Sequence, residues 1–200
     1  VSLADQPALA LLEFGSIAIG MLAGDAMVKR SPVAVARAGT VHPGRYLVLV
    51  AGDVACVEEA YDAGLAAGRA ALLDEVYLPS VHPDVVHALL GRRGRASGEA
   101  LGVVETSTAA ATIGAADRGL KGAGVSLVEI RLADNLGGKG YCVLSGPLAE
   151  VEAAVELAAG SVDPAERLVA SVVIPQLHDE MLANLAASPE FLARLAPGEA

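Results

Sequence analysis

The sequence predicts an α/β (α+β) protein built of two tandem units, each with the element order β-α-β-β-α-β. Three observations predict it: an ordered internal repeat, apolar periodicity that alternates between strand-like runs and one-sided helical stripes, and turn residues between them. ALALLEFGSIAIGMLAGDAMVKRSPVAV, from Ala8, lies over ALGVVETSTAAATIGAADRGLKGAGVSL, from Ala100. Glu13 then matches Glu105, Asp25 matches Asp117, Lys29 matches Lys121 and Val33 matches Val125, all 92 positions apart. Farther on, PGRYLVLVAGDVACVEEA matches GGKGYCVLSGPLAEVEAA at an offset of 94, pairing Gly44 with Gly138 and Glu58 with Glu152. LPSVHPD then matches IPQLHDE at 96, pairing Pro79 with Pro175 and His82 with His178. The matches stay in order, and the offset grows only where loops absorb insertions. The chain therefore reads as a tandem duplication: residues 1–90, a Gly- and Arg-rich linker over 91–99, and residues 100–200.

Each unit is justified element by element. Ala8–Phe14 is a short apolar run that suits a buried strand. Ser16 caps a helix to about Lys29, and Pro32 is incompatible with that helix continuing. Val33–Thr40 is a second strand; a turn at Pro43 and Gly44 leads into a third, Tyr46–Val50. Asp53 caps the clearest helix, in which Val57, Ala60, Tyr61, Gly64 and Leu65 form one face. Val151, Ala154, Val155, Ala158 and Ala159 repeat that stripe. Leu72–Leu78 and Leu168–Ile174 are fourth strands, ended by Pro79 and Pro175, and a short helix closes each unit. This order is the ferredoxin-like arrangement, a four-stranded, mainly antiparallel sheet with two helices on one face. That fold by itself proves no function.

Composition narrows the function classes. Of 200 residues, 54% are apolar and only 3% aromatic, so small elements in close contact are expected rather than an aromatic-lined cavity. A net charge of -10 repels nucleic acid and anionic membrane surfaces. Arg92, Arg93 and Arg95 form a basic cluster in the linker and read as a solvated tether. Cys56 and Cys142 have no CxxC spacing, which argues against a zinc site and a disulfide framework and fits a reducing cytosol. The run from Ala8 to Gly24 is too short and too interrupted to span a bilayer, and the first residues lack the basic start of a signal peptide. No GxSxG, Walker A, HExxH or GxGxxG motif is present, so the chain reads as a structural protein rather than an enzyme, with no cofactor.

The pattern E-x-x-S-x-A, then D-A-x-x-K, a Pro-Gly-Arg or Gly-Gly-Lys turn, and G-D-V-A-x-V-E-x-A resembles the bacterial microcompartment shell domain. Both copies carry it, over about residues 8–185. Two such domains in one chain are similar to the tandem-domain, trimer-forming shell proteins, including those of propanediol-utilising compartments. The Ala-, Gly-, Val- and Arg-rich composition fits a GC-rich genome and a compartment of the Rhodococcus and Mycobacterium type. The resemblance implies a homotrimer with six domains in a pseudohexagonal plate, other shell proteins as partners, small metabolites crossing a central pore, and a place in the bacterial cytoplasm.

The resemblance also implies site residues. His42, Pro43, Gly44 and Arg45, with Leu136, Gly137, Gly138 and Lys139, are expected to line the pore; without it, these are plain hairpin turns. Arg45 and Lys139 would give the axis a positive potential that favours anionic metabolites. Some relatives carry Cys at the position of His42 and hold an iron–sulfur cluster there; His42 does not supply that ligand, and three copies of it are a weak candidate for a metal or anion site against a solvated turn residue. Asp25 with Lys29, and Asp117 with Lys121, are expected at the plate edge, where each also forms an ordinary i,i+4 pair near a helix C-terminus. His82 and His178 follow the last strands near that edge, with structural use as the default. Glu13 and Glu105 are isolated acids suited to structural hydrogen bonding. Two further readings stay open: a ferredoxin-like trimeric small-molecule sensor, and a metal or redox carrier at the threefold axis.

Overall fold

In the computed structural model, which describes residues 2–96 and 99–187, the nearly continuous apolar run at Ala8–Phe14 takes the most covered place. β1 (Ala8–Phe14) is buried at all seven residues. A strand covered on both faces needs apolar side chains at successive positions rather than alternate ones, and only Glu13 interrupts them. β1 lies between β3 (Arg45–Gly52) and β4 (Leu72–Leu78), with β2 (Val35–Val41) outside β3. All neighbours are antiparallel, in the order β2-β3-β1-β4. Ala8, Ala10, Leu12 and Phe14 point to the face covered by α1 (Ile17–Arg30) and α2 (Val54–Gly68), where they meet Ala23, Met27, Val57 and Ala60. Leu9 and Leu11 point to the other face, toward Val85 of α3 (Pro83–Leu89).

The second unit repeats this plan. β5 (Ala100–Thr106), α4 (Ala109–Gly122), β6 (Ser126–Leu132), β7 (Gly140–Gly146), α5 (Leu148–Gly160), β8 (Leu168–Pro175) and α6 (Asp179–Ala186) build a sheet ordered β6-β7-β5-β8. Both sheets have the expected ferredoxin-like order. Strand register also reproduces the repeat. Glu13 faces Leu47 and Glu105 faces Tyr141; Leu9 faces Leu78 and Leu101 faces Ile174. The same offsets of 92, 94 and 96 thus hold in the sheets. The added residues sit in the β6–β7 turn, 133–139 against 42–44, and in the connection after α5.

Local chemistry sets most boundaries. Ser16, Asp53 and Thr108 cap their helices by accepting backbone N–H bonds from Ile19, Cys56 and Ala111. β2 starts at Val35 rather than Val33, because the Val33 amide is held by the Ser31 carbonyl in a tight turn at Pro32. α2 packs so closely that a Cβ at Gly64 would lie 2.5 Å from Leu12 Cδ1, and one at Gly68 would lie 2.3 Å from the Phe14 ring. That closeness is why small residues replace aromatics in this core. Residues 97 and 98 of the expected linker, and 188–200 of the expected second unit, lie outside the described residues. Among the described residues, no helix is long and apolar enough to cross a membrane.

Candidate functional site: the seam and the paired hairpins

The two units meet side by side, and Glu13, His42, Arg45, His82, Asp117 and Lys121 gather along their seam. Glu13, near the end of β1, has no exposed side-chain surface. Its Oε1 lies 2.5 Å from Arg45 Nη1, and its Oε2 accepts the Ala109 amide at 2.8 Å, the first residue of α4 in the other unit. Burial pushes the Glu13 carboxyl above its ordinary range, while Arg45 and the Ala109 amide pull it back. Arg45 also donates to the Ser107 and Gly138 carbonyls, each at 3.1 Å. Asp74 of β4 accepts the Thr108 hydroxyl and pairs with Arg167 at 2.7 Å; Arg167 further donates to the Leu73 carbonyl at 2.9 Å.

Farther along the seam, Asp117 of α4 takes the His82 amide on Oδ1 at 2.7 Å and Lys121 on Oδ2 at 2.5 Å. Lys121 also donates to the Ser80 carbonyl. Asp117 and Lys121 therefore clasp the turn that follows β4. His82 Nδ1 accepts the Asp84 amide and caps α3, and His178 Nδ1 does the same for Glu180 and α6. The cap at His82 is detectable in the His82-Pro83-Asp84 run. In the first unit, Asp25 and Lys29 form the i,i+4 pair at 2.6 Å, with both side chains exposed.

The hairpin tips touch across the seam. The His42 amide donates to Asp134 Oδ1 at 3.3 Å, and Gly138, beside the Arg45 guanidinium, belongs to the opposite turn. Gly44, Gly137 and Gly138 have φ of 92°, 65° and 83°, values that favour glycine. Both cations of the turns have carboxylate partners. Arg45 is spent on Glu13, and Lys139 Nζ lies 2.5 Å from Glu105 Oε1.

Three residues differ from the sequence reading or complete it. Arg93 is not a solvated tether. It pairs with the buried Glu129 on β6 and donates to the Leu185 and Ala187 carbonyls at 2.5 Å, fastening the end of α6. Gly94, next in the chain, bonds the Val128 carbonyl at 2.8 Å. Cys142 is fully buried, and desolvation raises its thiol to about 12, in keeping with a small core residue. Among the described residues, no group of three or more His, Cys, Asp or Glu could hold a metal ion within one chain.

Two ferredoxin-like units side by side, with their β-hairpins brought together at one end of the seam, define a tandem-domain α/β protein. The model of the BMC domain matches residues 8–81 and again 100–177. The chain belongs to the BMC-domain family. It is 39% identical over 174 residues to the bacterial microcompartment shell protein PduT of Citrobacter freundii, covering 87% of this chain and 95% of that one. Among solved structures, a microcompartment protein from Desulfitobacterium hafniense superposes with a TM-score of 0.75 at 39% identity, over 88% of this chain and 98% of that one. The fused permuted hexameric shell protein of the RMM microcompartment shares the fold, with a TM-score of 0.55 and 24% identity over 78% and 82% of the two chains.

Proposed function

We propose that this chain is a non-enzymatic building block of a bacterial microcompartment shell in the bacterial cytoplasm. Units 1–90 and 100–200, joined by 91–99, supply two lobes; three chains close into a six-lobed pseudohexagonal ring that takes its place beside other shell proteins. The observation that carries this reading is the contact of the two hairpins across the internal seam, His42 with Asp134 and Arg45 with Gly138. Repeating that side-by-side step brings six turns to one axis, and closed cyclic symmetry is the common outcome for a repeated heterologous contact. The likeness to a shell protein along nearly the whole chain supports it.

In this ring the turns 42–45 and 136–139 line a central opening for small metabolites. With Arg45 and Lys139 neutralised by Glu13 and Glu105, the charge near the tips falls to Asp134, and the opening does not favour anions. The test is electron microscopy of the purified chain with light scattering. Six-lobed particles of three times 20.1 kDa, or flat arrays of them, are expected. A monodisperse monomer overturns the reading.

A further inference from the structure

A cleft of about 340 Å³ opens between the two units, beside α2 and α4, near the lower end of the size range of small-molecule sites. One wall comes from α2 and β4. There Tyr61 and Tyr77 form a stacked pair with ring centroids 5.4 Å apart, and Glu75 lies beside them. The other wall is the start of α4, where Ala110 and Gly114 leave the space clear of bulky side chains. Asp163, in the connection after α5, completes the lining.

The polar groups of the cleft are unequally engaged. Asp74 also reaches it, but its carboxylate is taken by Arg167 and Thr108. Glu75 and Asp163 are exposed and have no cationic partner among the described residues. The Tyr61 hydroxyl donates to the Glu75 carboxylate, and the Tyr77 hydroxyl donates to the Val54 carbonyl at 3.4 Å. Burial, and after it the neighbouring carboxylates, raises both phenols, so the rings stay uncharged.

The repeat holds no second copy of this cleft. Tyr61, Glu75, Tyr77 and Gly114 correspond to Val155, Ser171, Val173 and Leu22. At the matching place both rings and the carboxylate are gone, and a leucine replaces the glycine. What the two units share in building the fold therefore does not require these side chains.

The walls select a class of ligand. Carboxylates without a cation repel an anion. A hard divalent cation takes about six oxygen ligands, and no group of three or more acids, histidines or cysteines could hold one among the described residues. An organic ammonium needs less: a charge-assisted bond from N–H to a carboxylate, and aromatic rings, whose faces attract cations. We propose that the cleft binds a small organic cation, a short-chain primary ammonium. Its nitrogen meets the Glu75 carboxylate within the negative field of Asp163, and its carbons lie between the tyrosine pair and the Ala110–Gly114 side of α4. The site is complete within one chain, so its failure leaves the shell reading in place.

Isothermal titration calorimetry of the full chain with n-butylammonium chloride tests this, with 1-butanol and sodium butyrate as neutral and anionic matches. One butylammonium per chain is expected, with a Kd of about 1 mM or tighter. Butanol and butyrate should bind at least about tenfold more weakly. Glu75→Gln, at an exposed site, should weaken butylammonium binding at least about tenfold with circular dichroism unchanged. Glu152→Gln removes the same charge from α5 and should leave the affinity unaltered. No saturable binding of butylammonium overturns the proposal. Equal weakening by both variants overturns it too, because it marks a diffuse attraction to a chain of net charge -10. Butanol binding as well as butylammonium also overturns it, because the cleft is then merely apolar. Tyr77→Val, which installs the residue of the second unit, should weaken binding as well; a folded variant with full affinity overturns the seating against the rings.

Discussion

The Glu13 carboxylate, fully enclosed, meets the Arg45 guanidinium at 2.5 Å and the first amide of α4 at 2.8 Å. One acid thus ties its own hairpin to the other unit. Removing one partner of a buried pair leaves an uncompensated charge, which costs about 3–5 kcal/mol. Arg45→Glu should lower folding stability by about that much in urea unfolding, by setting a second carboxylate against Glu13. Lys139→Glu should cost the isolated chain less than about 1 kcal/mol, because the Lys139–Glu105 pair is solvent-screened there. Its effect should appear instead in sedimentation, as weaker association.

The direction of the Glu13 shift sets a pH dependence. Its folded-state pKa lies above the unfolded value, with burial as the largest cause. The folded state then holds the proton more tightly, so the Glu13 contribution is fully present below the unfolded value near 4.5 and is lost as pH rises through the folded one. Unfolding midpoints of the wild type and Glu13→Gln, measured upward from pH 4.5, should show the wild type losing stability relative to the variant. Parallel curves would mean that Glu13 titrates alike in both states.

Much of this architecture follows from local pattern, and the seam does not. Ala8–Phe14 is legible to the residue, because a central strand needs a continuous apolar run, and Leu72–Leu78 is legible because Pro79 ends its run of strand formers. The helix starts at Ser16 and Asp53 are legible because capping is a local hydrogen bond. Asp74, Thr108 and Arg167 meet from positions far apart in the chain, and no period or spacing marks such a trio. The pairing of Arg45 escapes a sequence reading for the same reason. Arg45 looks free in the turn sequence, and its partner Glu13 lies on another strand. Asp25 and Asp117 look equivalent in sequence, yet only Asp117 has the other unit against it.

Close helix packing makes one glycine expensive and another replaceable. A Cβ at Gly64 would meet Leu12 at 2.5 Å and Met27 at 2.7 Å, inside the shared contact of α1, α2 and the sheet. Gly64→Ala should lose about 1–3 kcal/mol to overpacking. At Gly160, the last residue of α5, a Cβ would meet nothing within 4 Å. Gly160→Ala should gain about 0.4–1 kcal/mol by restricting the unfolded chain. Urea titration of both variants checks the contrast, and two equal effects would contradict the packing described.

Arg93 gives the linker a mechanical role that can be tested apart from assembly. Its guanidinium is the cation beside Glu129, which is buried on the outer face of the second sheet and also receives the Tyr141 hydroxyl. Burial and that carboxylate together raise the Tyr141 phenol to about 12. The same guanidinium bonds the Leu185 and Ala187 carbonyls at the end of α6. Arg93→Ala should therefore do two things at once: cost about 3 kcal/mol by stranding Glu129, and free α6 from the sheet. Limited proteolysis should then cut first between residues 176 and 187, before global unfolding. Arg92→Ala, next to it, should do neither. If Arg93→Ala and Glu129→Gln together restore most of the lost stability but leave α6 open to protease, the two roles separate: charge compensation acts on the sheet, and the carbonyl bonds hold the helix.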